Sequence, residues 1–469
     1  MKPIKISLLA ANILLLVIIL SSCQKETKEL NSEEKMKKGS QSEMPFEPGF
    51  AENDMVMYWN EKVATVLGAG MIQPARARYF AIIQIAVHDA LNNIKPKYQR
   101  YALLNERSQF ASPDAAVASA AYWAIKGLNR QGNFPVDTWY NESLATIPDG
   151  ESKELGKTLG KHAAEAIIAN RANDGFTQVI QTSTTNPPDG DEPGEYRSTL
   201  IFINGILSPT TIKRIPNWGT VLRPYVTESN YQFRPAGPYA VNSANYTADY
   251  NEVKTKGARV GGNRSVDEEM MARFWSENRP SVTWNNFARE VVKSKKLDAW
   301  KTARLFVLVH VSMAESINTQ MNAGYYFYSW RPETAIRLAA TDGNDNTEAD
   351  LSWLPFLNEA TNVFGTPPVP CYPNGFAAYG GAVTGVLRSF FASDEISINL
   401  NSATLPGQTI HFSSFSQAAR ENSLSMIYAG WDFRKSVLVG EEMGKQIGEY
   451  VFNHHFGGNE EWITKNIKR

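Results

Sequence analysis

Cysteine is nearly absent from this 469-residue sequence, which contains only Cys23 and Cys371. If Cys23 carries a lipid, as argued below, a disulfide within the chain is excluded and Cys371 is expected to be a buried, inert thiol. Basic residues show no excess, since the formal charge is −1, and nucleic acid is therefore not an expected partner. No period of about 20–50 residues repeats, which excludes a solenoid.

Long apolar runs are also lacking, except at the N-terminus. There Lys2 and Lys5 precede an apolar run from Ile6 to Leu20, which is followed by Ser-Ser-Cys. This order predicts a secretory signal peptide over residues 1–22, and the run of about 15 apolar residues is short for an uncleaved membrane anchor, the alternative. Its ending resembles the lipobox of bacterial lipoproteins.

The lipobox resemblance implies that Cys23 is lipidated. Residues 23–54 are rich in charge and poor in aromatic residues, which predicts a flexible tether after the lipidated cysteine. We therefore expect a protein of the bacterial cell envelope, anchored by lipid to the outer membrane on its periplasmic or surface face.

Helical periodicity dominates the remaining chain and predicts an all-α domain over residues 55–460. Residues 177–262 are rich in Pro, Asn, Tyr and Gly, which predicts a loop-rich insertion packed on the helical body. Periodicity returns over residues 265–455, the half that carries the motifs below. Ser265 and Glu268 have the spacing of a capping box at the start of this half.

Three segments of this half carry the most specific signal: "YYFYSWRPETAIRLAATDGN", "TPPVPCYPNGFAAYGGA" and "SLSMIYAGWDFR". In order and spacing they resemble the vanadium-dependent haloperoxidases of the chloroperoxidase-like branch and their relatives, the type 2 phosphatidic acid phosphatases. The resemblance implies two packed helical bundles with long ordered loops. It also implies a pocket written K-x6-R-P, P-S-G-H and S-R-x5-H.

In that family the lysine and the two arginines neutralise the oxygens of vanadate or phosphate. The last histidine is the axial vanadium ligand, or the nucleophile of the phosphatases, and the other histidine acts as acid and base. The serine hydroxyl and the glycine N–H complete the oxyanion cradle. The matched residues here, called the pocket positions, are Gly324, Arg331, Asn374, Gly375, Phe376, Met426 and Asp432.

Two pocket positions keep the family's residue, Arg331 and Gly375. The lysine is replaced by Gly324, the second arginine by Met426 and the axial histidine by Asp432. The family's three cations supply a charge of about +3, whereas the residues here sum to about zero. Because a buried multianion without compensation costs several kcal/mol, the sequence predicts that no vanadate cofactor is held.

Phe376 replaces the acid–base histidine and can neither donate nor accept a proton. Asn374 replaces the serine and keeps the capacity to hydrogen-bond an oxygen. The carboxylate of Asp432 would repel an oxyanion, and we predict that it pairs with Arg331 or Arg434 instead.

Arg337 and Arg434 match positive positions near the family's pocket. One interpretation is that they hold loops through ion pairs, and the other is that, with Arg331, Asn374 and Gly375, they form a partly restored anion site. The aromatic cluster within residues 325–330 fits either a ligand cleft or core packing, and core packing is the favoured interpretation.

The histidines and the acidic loop predict no metal site. His88 and Asp89 lie in an apolar helical pattern and are expected to form a structural hydrogen-bonded pair, while His310 is expected in the core. The loop from Asp342 begins like a calcium loop but lacks its sixth-position glycine, so we predict a structural connection.

These observations predict a membrane-tethered lipoprotein with a non-catalytic binding or scaffold role. Its expected partners are the membrane, through the lipid on Cys23, and either a small organic ligand or a protein in the former cleft. The alternative is an active haloperoxidase or phosphatase with relocated oxyanion ligands around Arg331.

Overall fold

The computed structural model describes residues 54–68, 70–177, 187–198, 200–203, 206–211, 215–277, 280–357, 366–402, 405 and 407–458. The signal peptide, the lipidation site at Cys23 and nearly all of the tether lie outside the described residues. Within them, none of the helices combines the length and the apolar character needed to cross a bilayer.

A first bundle forms around α2, which is buried along almost its whole length. Helices α2, α3 and α5 pack against one another, and α1 and α4 pack on α3. Ser112 caps the N-terminus of α3 by accepting from Ala115 N. The helices of this bundle are α1 (Asp54–Gly68), α2 (Gln73–Ile94), α3 (Pro113–Gly127), α4 (Val136–Ala145) and α5 (Glu151–Asn170).

A second bundle contains the three motif segments. Its members include α6 (Ala244–Lys256), α7 (Val266–Glu277), α8 (Pro280–Lys295), α9 (Ala299–Phe327), α10 (Pro332–Leu338), α11 (Gly375–Phe391), α12 (Phe415–Tyr428) and α13 (Arg434–His454). Helices α9, α11, α12 and α13 pack together, and α9 also packs on α2, which joins the two bundles. The predicted all-α fold with two packed bundles is confirmed.

Two small antiparallel hairpins accompany the helices. β1 (Leu200–Ile203) pairs with β2 (Ile206–Thr211), and β3 (Glu395–Asn401) pairs with β4 (Thr409–Ser414). In the second hairpin, Asn401 lies opposite Thr409, and alternate residues of β3 are buried. This hairpin precedes α12 and lies outside the motif segments.

Described residues of the segment predicted to be loop-rich are held by contacts with α9. Glu315, fully buried on α9, accepts hydrogen bonds from Tyr225 N, from Val226 N at 2.7 Å and from the Thr227 hydroxyl at 2.7 Å. Within this segment the structure adds helix α6, which the composition did not indicate and which Ser243 caps. Loops anchored in this way lie beside the motif segments.

Close packing of α11 against α13 depends on glycine. A Cβ on Gly444 would lie 2.1 Å from Ala378 O, and one on Gly440 would lie 2.4 Å from Asn374 O. Neither position accepts a side chain without moving a backbone. The contact at Gly440 sets the start of α11, and with it Asn374, against the first turns of α13.

The predicted capping box at the start of α7 is confirmed. Ser265 N donates to Glu268 Oε2 at 2.8 Å, and Glu268 N donates to the Ser265 hydroxyl at 3.2 Å. The two residues satisfy backbone donors that the first turn of a helix otherwise leaves unpaired.

Candidate functional site

The three motif segments meet at a buried ion pair. Arg331 stands directly before α10, and Asp432 lies in the turn between α12 and α13. Arg331 Nη1 donates to Asp432 Oδ2 at 2.9 Å, and the exposed fractions of the two residues are 3% and 0%. The predicted pairing of Asp432 with Arg331 is confirmed, and Arg434 takes no part in it.

Asn374, in the second motif segment, completes this contact. As the N-cap of α11, it accepts from Ala377 N through Oδ1 at 2.8 Å. Its Nδ2 donates to Asp432 Oδ2 at 2.7 Å. Both ends of the Asn374 amide are therefore engaged within the protein, one by the helix terminus and the other by the carboxylate.

Cys371 supplies a further donor to the carboxylate. Its thiol donates to Asp432 Oδ1 at 2.8 Å, and burial raises the pKa of this thiol well above its ordinary value, with the charge of Asp432 acting in the same direction. Cys371 therefore remains a protonated thiol. Burial also raises the pKa of Asp432, and the positive charge of Arg331 opposes that increase. We call Arg331, Cys371, Asn374 and Asp432 the Asp432 cluster.

Arg331 also connects the surrounding backbone. Its Nε donates to Val369 O at 2.9 Å, and its Nη1 donates to Trp431 O at 3.0 Å. One guanidinium thus holds the loop before α11 and the turn before α13, in addition to neutralising Asp432.

Gly324 and Gly375 lie on either side of the Gln320 side chain. A Cβ at Gly324 would be 3.3 Å from Gln320 Nε2, and one at Gly375 would be 3.3 Å from Gln320 Oε1. The amide of Gln320 is buried and donates to Pro373 O at 3.1 Å. A neutral amide therefore occupies the space between these two pocket positions.

The last two pocket positions are apolar. Phe376 is half-buried, and its ring centroid lies 6.0 Å from that of Trp431. Met426 is fully buried on α12, and its carbonyl accepts from Trp431 N at 3.0 Å. The structure thus brings the pocket positions into one region, and among these seven positions the buried charged residues are Arg331 and Asp432.

This fold and site were compared with known proteins. Residues 304–457 match the family model for the second helical-bundle domain of VCPO. The vanadium chloroperoxidase of Curvularia inaequalis is 24% identical over 414 residues, with 74% of this chain and 67% of that protein covered. This chain is therefore similar to the vanadium chloroperoxidases, and the family match lies in its second bundle.

Solved structures show the same fold. The crystal structure of a bacterial vanadium-dependent iodoperoxidase superposes with a TM-score of 0.72 at 23% identity, covering 88% of this chain and 98% of that one. A holo-type bacterial vanadium-dependent chloroperoxidase superposes with a TM-score of 0.67 at 17% identity, covering 90% and 99%. The vanadium haloperoxidase fold therefore extends through both bundles.

Arg337 and Arg434 are engaged elsewhere in this haloperoxidase-like chain. Arg337 forms an ion pair with Glu333 at 3.1 Å and donates to Trp353 O at 3.0 Å. Arg434 pairs with Glu252, with its Nε 2.7 Å from Glu252 Oε2. These contacts match the interpretation that the two arginines hold loops, and neither arginine is bonded to the Asp432 cluster.

The histidines singled out in the sequence lie in other contacts. His88 Nδ1 is 3.3 Å from Asp89 Oδ1, and Asp89 accepts three loop N–H groups, which confirms the structural pair. His310 is fully buried, with its Nε2 2.8 Å from Asn285 Oδ1, as expected for a core residue. Among the hydrogen bonds of the described residues, neither of these two histidines is bonded to Arg331.

The loop after Asp342 is organised by its own side chains. Asn344 N donates to Asp342 Oδ1 at 2.8 Å, and the Thr347 hydroxyl donates to Asp342 Oδ2 at 2.8 Å. This confirms a structured connection. Among the described residues, no group of three or more His, Cys, Asp or Glu side chains has the arrangement of a metal site.

A cavity of about 420 Å³ adjoins the Asp432 cluster, and none of the pocket positions lines it. Its walls include Cys371 and Ser436, and the Ser436 hydroxyl donates to Cys371 O at 2.9 Å. Aromatic side chains dominate the remaining wall, and they are Tyr239, Tyr246, Phe327, Trp330, Tyr372 and Phe433. The cavity is therefore a separate space that shares one residue, Cys371, with the cluster.

Core packing, the favoured interpretation of the aromatic cluster within residues 325–330, is wrong for Tyr326, whereas Trp330 is a buried residue of the core. Tyr326 is 65% exposed, with its ring 4.0 Å from the Arg234 guanidinium, and Trp330 is buried. Phe327 and Trp330 line the cavity instead. Helix α9 ends at Phe327, and Tyr328 has a φ of 51°, so the chain leaves the helix within this aromatic cluster.

Sequence reasoning missed Gln320 and the role of Cys371. Gln320 stands four residues before Gly324 on one helix, so the helical period places the two on the same face, and this signal was present in the sequence. Cys371 lies three residues before Asn374, but nothing in its local pattern indicates that its thiol faces Asp432.

Proposed function

We propose that this protein is a lipid-anchored, non-catalytic binding protein built on the vanadium haloperoxidase fold. One observation carries the proposal: the Asp432 carboxylate takes the hydrogen bonds of Arg331 and Asn374 that an oxyanion would need. An external vanadate or phosphate would have to displace this internal anion from a fully buried site.

The residues present do not fit vanadate. Arg331 is the cation of the Asp432 cluster, and its charge is balanced by Asp432. Phe376 supplies no proton donor or acceptor for activating peroxide. Gln320 fills the space between the two glycines with a neutral amide. These contacts support a loss of the haloperoxidase and phosphatase reactions. Among the described residues, no histidine is bonded to Arg331 in the position of a relocated ligand.

Calorimetric titration of the full-length protein with monomeric orthovanadate tests this proposal. We expect no binding to the wild type at micromolar concentrations and no bromide oxidation or phosphatase turnover. The variant Asp432→Ala removes the internal anion and leaves Arg331 and Asn374 with free donors, so we expect it to gain weak vanadate binding that falls with salt.

Micromolar vanadate binding by the wild type, lost in Arg331→Ala, would refute the proposal and favour an active enzyme with relocated ligands. A vanadium chloroperoxidase serves as the positive control. Vanadate binding that stays absent in Asp432→Ala would show that the internal carboxylate is not what excludes the oxyanion.

The lipid anchor has a separate test. Cells expressing the full chain are labelled with a fatty acid, and the protein is followed in the membrane fraction. The wild type should carry the label, while Cys23→Ser should lose it and leave the membrane. Label retained in the variant would contradict lipidation at Cys23.

A further inference from the structure

We propose that the cavity beside the Asp432 cluster binds an aromatic organic acid whose carboxylate pairs with the ammonium of Lys435. This inference rests on the proposed binding function and identifies the class of ligand. Its volume of about 420 Å³ lies within the range typical of small-molecule sites, about 300–1,000 Å³. None of its lining residues is a pocket position of the haloperoxidase motif.

The aromatic walls are held by one another and by backbone hydrogen bonds. The rings of Tyr246 and Phe433 have centroids 5.6 Å apart, and those of Phe327 and Tyr372 lie 5.4 Å apart in an edge-to-face arrangement. Trp330 N donates to Gly194 O at 2.9 Å, which fixes the neighbouring loop to the motif segment. The cavity is therefore preformed, and its faces suit a flat ring.

Three charged residues line the cavity, and the two acids are engaged with backbone donors. Glu195 accepts from Asp191 N and Glu192 N, both at 3.2 Å, within its own loop. Asp249 accepts from Lys435 N at 2.7 Å at the first turn of α13; burial raises the pKa of its carboxyl, and this hydrogen bond opposes the increase.

Lys435 differs from these acids. Among the described residues, no ion pair within 4.0 Å involves its ammonium, which lies 5.0 Å from the centroid of the Tyr239 ring, and its charge also opposes the increase that burial causes in the pKa of the Asp249 carboxyl. The carboxylates of Glu195 and Asp249 accept from backbone N–H groups, and the ammonium of Lys435 is the lining group that can pair with the negative charge of an aromatic ligand. A cationic amine would instead meet the ammonium of Lys435.

Calorimetry with three probes of one shape tests the assignment: naphthoate, naphthamide and naphthylmethylammonium. The full-length protein is used in a non-ionic detergent, with detergent alone as the blank. We expect naphthoate to bind about tenfold or more tightly than naphthamide, because charge-assisted hydrogen bonds exceed neutral ones. We expect naphthylmethylammonium to bind most weakly.

Matched variants locate the site. Lys435→Met should remove the preference for naphthoate and leave naphthamide binding unchanged. Lys445→Met makes the same charge change on the same helix, at a residue paired with Glu442 outside the cavity, and should preserve the preference. Ala240→Trp adds bulk at an exposed lining residue and should weaken all binding.

The inference is overturned if none of the probes binds, if naphthamide or the ammonium probe binds as tightly as naphthoate, or if the variants at Lys435 and Ala240 behave like Lys445→Met. These results are separable from those of the vanadate titration. Vanadate binding by the wild type would overturn the proposed non-catalytic function. If the wild type binds neither vanadate nor naphthoate, only the ligand assignment is overturned.

Discussion

Replacing Arg331 with methionine would leave the buried Asp432 carboxylate without its cation. Two unit charges about 4 Å apart interact by about 4 kcal/mol at an effective dielectric constant of about 20. Removing one partner of a buried ion pair generally costs about 3–5 kcal/mol, because the remaining charge stays desolvated. Arg331→Met should therefore lower the free energy of unfolding by about 3–5 kcal/mol at pH 7.

The loss should depend on pH with a definite sign. Burial raises the pKa of Asp432, and Arg331 is the first group that opposes this increase, so its removal raises the pKa further. A carboxyl with a higher pKa in the folded state than in the unfolded state loses stability as pH rises above the unfolded pKa, near about 4. The deficit of Arg331→Met should therefore be smaller at pH 5 than at pH 7.

Guanidinium unfolding followed by tryptophan fluorescence at both pH values measures these effects. The double variant Arg331→Met with Asp432→Asn removes both charges and should recover part of the loss, since Val369 O and Trp431 O still lack the donors that Arg331 supplied. Arg434→Met breaks a more exposed pair with Glu252 and should cost at most about 1 kcal/mol. Two results would contradict the ion-pair explanation. One is that Arg331→Met lowers the free energy of unfolding no more than Arg434→Met does. The other is that the double variant loses the sum of what Arg331→Met and Asp432→Asn each lose.

Two further predictions concern buried groups away from the site. Burial lowers the pKa of His310 to about 3, so the unfolded state binds a proton first and stability falls as pH drops below about 6.5. His310→Gln should reduce the slope of the free energy of unfolding against pH in this range, and a substitution at the exposed His454, His454→Gln, should leave it unchanged. Equal slopes in the two variants would contradict the assignment of this pH dependence to His310. Asp89→Ala removes the acceptor of three backbone N–H groups, so it should lower the free energy of unfolding by about 3 kcal/mol or more. Amide hydrogen exchange at residues 101–103 should become faster. Unchanged exchange would show that other contacts hold this loop.

The part of the site that could be predicted from sequence follows from charge and spacing. A buried carboxylate needs a cation, and the motif spacing offered Arg331 or Arg434 to Asp432. The capping box and the helical class rest on equally local rules. The capping box and the helical class depend on residues close together in one helix. The pairing of Asp432 depended on the family resemblance, which indicated that the motif segments meet.

The cavity could not be predicted in this way. Its lining comes from separate segments near residues 194, 239, 246, 330, 371 and 435, and only the packing of loops on α9 and α13 brings these together. Helix α6 was hidden for a related reason, because the Pro- and Asn-rich composition around it indicates loops while Ser243 starts a helix. Local composition carries no information about which loop covers which helix.

The retained arginine and the replaced histidine are best understood as one electrostatic arrangement. Arg331 bonds two backbone carbonyls from two motif segments, so removing it would unfasten the loop before α11 from the turn before α13. Its buried charge requires a counter-charge, and Asp432 supplies one. Restoring histidine at position 432 alone would leave about +1 where the family has about +3, with Phe376 still unable to transfer a proton. A single substitution is therefore expected to destabilise the pocket without restoring its chemistry.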